Sequence, residues 1–417
     1  MTQASIITIG DELLIGQTID TNSAFIAQEL NKIGIWVKRR IAIGDVKEEI
    51  ADALTEQSKD CTIVIITGGL GPTADDITKP TLCKYFNGKL VVNDDALQNV
   101  KNIFNQLNKP LIERNLKQAE VPDTCVVLPN KRGTAPGMWF EKDGVVYVSL
   151  PGVPHEMKGL MQDSVIPKLK EQFTLPAVQH RTIVTAGLGE SSIAELLVDF
   201  ETHLPAHIKL AYLPVNGSVK LRLTGRNENA DVLKKEIDGQ FEQLKALVKR
   251  WMVADKDTTL QAVVGNMLTQ KTKFMASAES CTGGYIAHLI TSVPGASSCF
   301  KGSVVSYANE AKENILGVAH QTIVTHGAVS EETIIEMTKG VVEVMNVDYA
   351  VATSGIMGPD GGTPEKPVGT VWIAVGNGEK VVTKKHHFRF DRERNIELTA
   401  HAALNMLRLF ILEQEGV

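Results

Sequence analysis

Ser280 and Cys281 stand side by side in Ala278-Glu279-Ser280-Cys281-Thr282-Gly283-Gly284, which offers a hydroxyl and a thiol to a glycine-rich turn. Lys273-Phe274-Met275-Ala276-Ser277 before it reads as a short strand, and Tyr285-Ile286-Ala287-His288-Leu289-Ile290 after it reads as the first turns of a helix. A nucleophile delivered to such a turn lies near unpaired backbone N–H groups that favour negative charge, which suits acyl transfer. A plainer role is open to the same residues, with Ser280 or Thr282 capping the helix. Further on, Tyr307 and Lys312 follow another strand-like run. A desolvated lysine loses its charge more readily and can then act as a base, whereas on a solvated helix it would not. The segment from Asp348 to Pro364 feeds a strand into a loop with Ser354, Gly355 and Gly358, where bare backbone permits close approach to a ligand. Asp391-Arg392-Glu393-Arg394 opens the last amphipathic helix, and two arginines there oppose the helix dipole unless an anion or nearby carboxylates compensate.

A second set of residues lies near the N-terminus. Three strand-like runs end in turn-forming loops: Ile6–Ile9 into Gly10-Asp11-Glu12, Thr62–Thr67 into Gly68-Gly69-Leu70-Gly71-Pro72-Thr73, and Val145–Leu150 into Pro151-Gly152-Val153-Pro154. Ligands of open α/β sheets bind beyond the carboxyl ends of the strands, so these loops imply one shared crevice for a phosphate or diphosphate. Carboxylates Asp11, Glu12, Asp75, Asp76 and Glu156 near these loops have the hard oxygen atoms that a divalent cation prefers, with Asp75 and Asp76 the metal candidates. Helix capping before Ile77 is the alternative for Asp75 and Asp76, and a first-turn place favoured by the helix dipole is the alternative for Glu156.

The elements that must carry these residues alternate strand and helix in both halves of the chain, the pattern of mostly parallel sheets covered on two faces. With 417 residues, more than one core is required. We expect an α/β/α domain over residues 1–172, a small α+β module over 173–254 and a second α/β/α domain over 255–417. In the middle module Asn216-Gly217 is a hairpin signal, and no reactive cluster is evident, so it reads as a spacer or dimerisation element. A net charge of −6 and the lack of a basic stripe argue against nucleic acid as a partner. No apolar run reaches the roughly 20 residues of a membrane span, and the five cysteines form no C-x-x-C pair, so a cytoplasmic protein with reduced thiols is expected.

Taken in order, Glu279 to Gly284, Tyr307 to Lys312, and Ser354-Gly355-Ile356-Met357-Gly358-Pro359 with the run from Gly361 to Val371 resemble the CinA C-terminal family of nicotinamide-nucleotide amidases. The resemblance implies hydrolysis of nicotinamide mononucleotide to nicotinic acid mononucleotide and ammonia without a cofactor. Ser280 would be the nucleophile, Lys312 the base and Tyr307 an assisting hydroxyl. Cys281, Thr282, Gly283, Gly284, Ser354, Gly355 and Gly358 would line the substrate site, and Arg394 would pair the phosphate. Residues 1–170 resemble the molybdopterin-binding fold in the version found in full-length CinA proteins, through Gly10 to Leu14 with Asn22, Gly68 to Thr78, and Leu150 to Met157. That resemblance implies a metal-dependent ADP-ribose pyrophosphatase, whose nucleotide site would use Gly10, Asp11, Glu12, Asn22, Gly68, Gly69, Gly71, Thr73, Pro151 and Gly152. The alternatives are a non-catalytic pterin- or nucleotide-binding module there, or a competence-related scaffold as the role of the whole chain. A homodimer is expected.

Overall fold

Ile63-Val64-Ile65-Ile66-Thr67 is wholly buried and β-branched throughout, the composition of a central strand covered on both faces. In the computed structural model, which describes residues 2–73, 75–215 and 217–416, this strand lies within a six-stranded sheet. Its order is Trp36–Ile43, Gln3–Ile9, Ile63–Thr67, Val145–Leu150, Gly137–Lys142, Val126–Leu128. The first four strands are parallel and the last two antiparallel. Separate clusters of buried side chains cover the two faces, one around Ile6, Ile65, Trp139 and Val148, the other around Ile7, Ile66, Phe140 and Tyr147.

The chain divides into two compact units, Met1–Gln179 with Gly225–Lys235, and His180–Thr224 with Glu236–Val417. Between the large sheets in sequence comes a four-stranded sheet in the order Ile208–Val215, Ser218–Asn227, Ala177–Ala186, Met252–Ala254, accompanied by the helix Ala230–Val248. Two short helices, Glu190–Leu196 and Val198–Thr202, follow the Ala177–Ala186 strand. Of the expected Asn216-Gly217 turn, Asn216 lies outside the described residues, while Gly217 has the positive φ of 77° that such a turn asks of a glycine.

In the C-terminal half five strands run Phe300–Val305, Met275–Glu279, Tyr349–Gly355, Thr370–Gly376, Val381–His387. The first three are parallel, and the last two are antiparallel to their neighbours. Side chains alternate along a strand, so Met275 joins the cluster formed with the helices Leu260–Gln270 and Arg392–Gln414, while Ala276 and Ala278 join the opposite cluster with the helix Glu331–Met345. The second cluster is floored by Ala276, Ala278, Ala350, Ala352 and Ala374, small enough for that helix to sit low on the sheet. Each larger aliphatic side chain buried in these cores contributes about 1.5–3 kcal/mol. The alternation also separates two neighbours in sequence, sending Glu279 to the first face and leaving Ser280 at the strand end on the second.

Candidate functional site

The three parallel C-terminal strands end together, and their ends hold the chemistry. Ser280 follows the central strand, Ser306 and Tyr307 follow one neighbour, and Ser354 and Gly355 end the other. Lys312 comes from the helix Asn309–Leu316, which doubles back from the Phe300–Val305 strand. It is not on a solvated face: only 1% of it is exposed. Its Nζ lies 3.1 Å from Ser280 Oγ, 2.8 Å from the carbonyl oxygen of Ser306 and 3.3 Å from that of Tyr307. A neutral amine has two N–H groups for the two carbonyls and one lone pair left, facing the serine hydroxyl. Burial pushes the Lys312 pKa below the ordinary lysine value, which favours that neutral form.

The neighbouring thiol is placed differently. Cys281 is 5% exposed, and burial pushes its pKa up to about 12, so the thiolate that nucleophilic attack needs is suppressed. The geometry therefore favours the hydroxyl.

Neither Ser280 nor Thr282 caps the following helix. The N-cap of Tyr285–Thr291 is Gly284, in a left-handed conformation with φ 96° and no side-chain cap. Glu279 does the work instead, accepting from the N–H groups of Gly284 (3.1 Å), Ile286 (3.0 Å) and Ala287 (2.9 Å). The N–H of Ser280 goes to the carbonyl of Thr353 and that of Gly283 to the carbonyl of Ser280. The unpaired N–H groups expected near this turn are thereby narrowed in number. Among the described residues only the N–H groups of Cys281 and Thr282 in this turn lack an oxygen acceptor.

A cavity of about 230 Å³ opens in front of Ser280, lined by Cys281, Tyr307, Asn309, Lys312, Ala328, Val329, Ser354, Gly355, Met357 and Arg392. Ser354 donates its hydroxyl to the carbonyl of Ala328, tying two of the walls together. Thr282, Gly283, Gly284 and Gly358 are not among the lining residues; Thr282 donates to Glu279 at 2.8 Å, and Gly358 offers its carbonyl to Arg392. Tyr307, 61% exposed, stands at the rim, where its hydroxyl accepts from Arg392 Nη2 at 3.0 Å. The arginine in the cavity is Arg392. Arg394, expected there, pairs with Glu397 at 3.2 Å and is not a lining residue. At the start of a helix, two residues make a rotation of about 200°, which places the two side chains on different sides. Glu279, Asn309 and Arg392 had no assigned role from sequence; the two arginines at the start of the last helix marked the right segment without saying which one faces the cavity.

At the N-terminal sheet edge a smaller cavity of about 130 Å³ is lined by Thr8, Ile9, Glu12, Leu13, Thr18, Ile19, Asp20, Thr21, Asn22, Thr67, Gly68, Gly152 and Pro154. Four expected residues, Glu12, Asn22, Gly68 and Gly152, meet here. Asn22 Nδ2 donates to the carbonyl of Gly152 at 2.7 Å, leaving its buried Oδ1 without a partner among the described residues. Gly10, Asp11, Gly69, Gly71, Thr73 and Pro151 lie outside the lining, as do Asp75 and Asp76. Asp11 exchanges hydrogen bonds with Asp45, a carboxylate the sequence reading passed over. Burial raises the Asp45 pKa first, and the charges of Asp11, Glu12 and Asp75 raise it further.

Of the carboxylates named for a metal, Asp76 and Glu156 are held by other groups as they stand. Asp76 accepts from the N–H groups of Gly71 and Thr73, both at 2.8 Å, and from the Thr73 hydroxyl, so its oxygens close the loop on itself. Glu156 is likewise engaged, accepting from Asn130 at 2.6 Å. Among the described residues no group of three or more His, Cys, Asp or Glu side chains could hold a metal ion. Ala74, inside the same loop motif, lies outside the described residues. Among them, too, no helix is long and apolar enough to cross a membrane.

Comparison with known proteins finds three consecutive family matches: a probable molybdopterin binding domain over residues 5–171, a damage-inducible protein CinA KH domain over 180–254 and a CinA C-terminal domain over 257–411. The KH match gives the middle module a fold type that had not been read from its sequence. A CinA-like protein of Cytophaga hutchinsonii is 49% identical over 405 residues, covering 97% of each chain. One of Flavobacterium psychrophilum is 46% identical over 413 residues, covering 99% of each. Among solved structures, the competence/damage inducible protein CihA of Agrobacterium tumefaciens is 36% identical, with 36% of this chain and 92% of that chain covered and a TM-score of 0.36.

Proposed function

Because the chain belongs to the CinA family, we propose that its C-terminal domain is an amidase that hydrolyses nicotinamide mononucleotide to nicotinic acid mononucleotide and ammonia. The observation that carries this reading is the 3.1 Å contact between Lys312 Nζ and Ser280 Oγ inside the fold. The neutral amine takes the hydroxyl proton as Oγ attacks the carboxamide carbon. The N–H groups of Cys281 and Thr282, which have no oxygen acceptor among the described residues, are the donors available to the oxygen on which charge develops. Collapse expels ammonia with the proton that Lys312 holds, leaving an acyl-serine. Water, deprotonated by the same amine, then releases the carboxylate and restores Ser280. Arg392, braced by the Gly358 carbonyl at 2.7 Å and by Tyr307, is suited to the phosphate by a charge-assisted contact. The test is ammonia release from nicotinamide mononucleotide by the purified protein beside Ser280→Ala. A wild-type protein that releases none overturns the reading.

For the N-terminal domain we propose binding of ADP-ribose and hydrolysis of its diphosphate. Support comes from the cavity at the carboxyl ends of three parallel strands and from Asn22 Oδ1, which has no partner among the described residues. The carboxylate loop offers no ready-made metal set, so no step is derived through an ion. Incubation with ADP-ribose, with and without added divalent metal, separates the two possibilities. Turnover supports a pyrophosphatase, and binding without turnover supports a nucleotide-binding module.

A further inference from the structure

Glu279 is completely buried, yet it points away from the cavity that Ser280 faces. Its carboxylate collects six donors: the N–H groups of Gly284, Ile286 and Ala287, and the hydroxyls of Ser277 (3.0 Å), Thr282 (2.8 Å) and Ser303 (3.3 Å). Burying a carboxylate costs several kcal/mol unless hydrogen bonds replace its water, and here donors meet it from two strands, the turn and the next helix. Thr282 is held a second time, by a 2.7 Å hydrogen bond between its hydroxyl and that of Thr353. The segment between Glu279 and Gly284 is thus anchored at both ends to one charged group. Between those anchors lie the nucleophile and the two N–H groups without oxygen acceptors.

We propose that Glu279 is a positioning residue for catalysis: through the far face of the sheet it fixes the Ser280–Thr282 turn, so that nucleophile and oxyanion donors keep their mutual geometry. It touches no substrate. By occupying the N–H groups of the helix start it also prevents an anion from binding there, which leaves Cys281 and Thr282 as the donors for the reacting oxygen. This inference rests on the amidase reading for its substrate, but not for its geometry.

The test compares wild type with Glu279→Gln in the full chain. A glutamine keeps the shape but turns one acceptor into an NH₂ donor facing groups that are themselves donors. The expected result for folded Glu279→Gln is a kcat lower by about a hundredfold, the size of losing a well-aimed oxyanion donor, with KM unchanged. The pH profile keeps its position because the Lys312 contacts are untouched. A merely structural role would lower the melting temperature while leaving kcat per folded molecule alone, and that result overturns the proposal. If Glu279→Gln does not fold, Thr282→Val removes one donor and keeps the shape; kcat lower by about tenfold is expected, the value of one neutral hydrogen bond, and an unchanged kcat overturns the proposal. A fluorophosphonate that labels serine nucleophiles gives a substrate-free readout of the same variants. Slower Ser280 labelling is expected, and equal labelling overturns the proposal even if nicotinamide mononucleotide is not the substrate.

Discussion

At the scale of single residues the amidase reading turns on which of two adjacent side chains reacts. Ser280→Ala is expected to abolish ammonia release, whereas Cys281→Ala keeps most of the rate, because a thiol with a pKa near 12 contributes no thiolate at neutral pH. Steady-state assays of the two variants check this, and a dead Cys281→Ala reverses the assignment. Lys312 must be neutral to act, so activity rises with pH through its pKa. Burial moves that rising limb below the ordinary lysine range near 10.5. Lys312→Arg locks in the charge and is expected to cost about 10²–10⁴-fold in kcat and to erase the limb. Arg392→Ala is expected to raise KM for the nucleotide by about ten- to a hundredfold with little change in kcat, while Arg394→Ala leaves KM unchanged. A rise in KM confined to Arg394→Ala would return the phosphate to the position expected from sequence. The sequence named the right tetrapeptide, Asp391 to Arg394; which arginine turns inward depends on how the helix is rotated against the sheet, and packing decides that.

At the scale of elements, the base is delivered by the helix Asn309–Leu316, whose position depends on a close approach. A Cβ added at Gly340, on the helix Glu331–Met345, would stand 1.8 Å from the carbonyl oxygen of Leu316, at the end of the Lys312 helix. Backbone cannot give way as a flexible side chain does. Gly340→Ala is therefore expected to destabilise the protein by about 1–3 kcal/mol and to lower kcat by moving Lys312 away from Ser280. Thermal unfolding and kcat measured together check this; a loss of stability with kcat unchanged means that the helix moves as a whole without disturbing the pair. Gly340 drew no attention in the sequence, where a glycine inside a helix reads only as a weak position. The strands and the final helix were legible because their periodicity is strong; Thr259 caps the helix Leu260–Gln270, accepting from the Ala262 N–H, and Asp391 caps the last one. The role of Glu279 was not, since a charged residue closing an apolar strand reveals its donors only once three elements converge.

At the scale of the whole molecule, two cavities lie at the carboxyl ends of the parallel strands of two separate mixed sheets, and their chemistry is expected to separate. Ser280→Ala should leave binding or turnover of ADP-ribose intact, and Asn22→Ala should leave ammonia release intact. A variant that silences both would show that the activities are linked. Stability carries a further signature in Lys79, which is 9% exposed, donates to the carbonyls of Lys117 and Gln118 at 3.2 Å each, and has its pKa pushed down to about 8 by burial. The unfolded chain then binds more protons than the fold between about pH 8 and 10.5, so this residue makes stability rise with pH across that window and adds no slope below it. The difference in urea unfolding between wild type and Lys79→Met, followed through the window, should shrink that slope; an unchanged slope assigns it to other groups. The sequence by itself determined the order of strands and helices and the loops at their carboxyl ends, and it put forward Ser280 and Lys312 as candidates through the order of its motifs, because periodicity and motif order are local properties of the chain. Tertiary structure alone decided that Lys312 is buried against Ser280, that Cys281 is silenced, that Arg392 faces the cavity and that Asp76 turns back on its own loop. Each of these depends on which atoms from distant segments exclude water from a given side chain, and no local pattern encodes that.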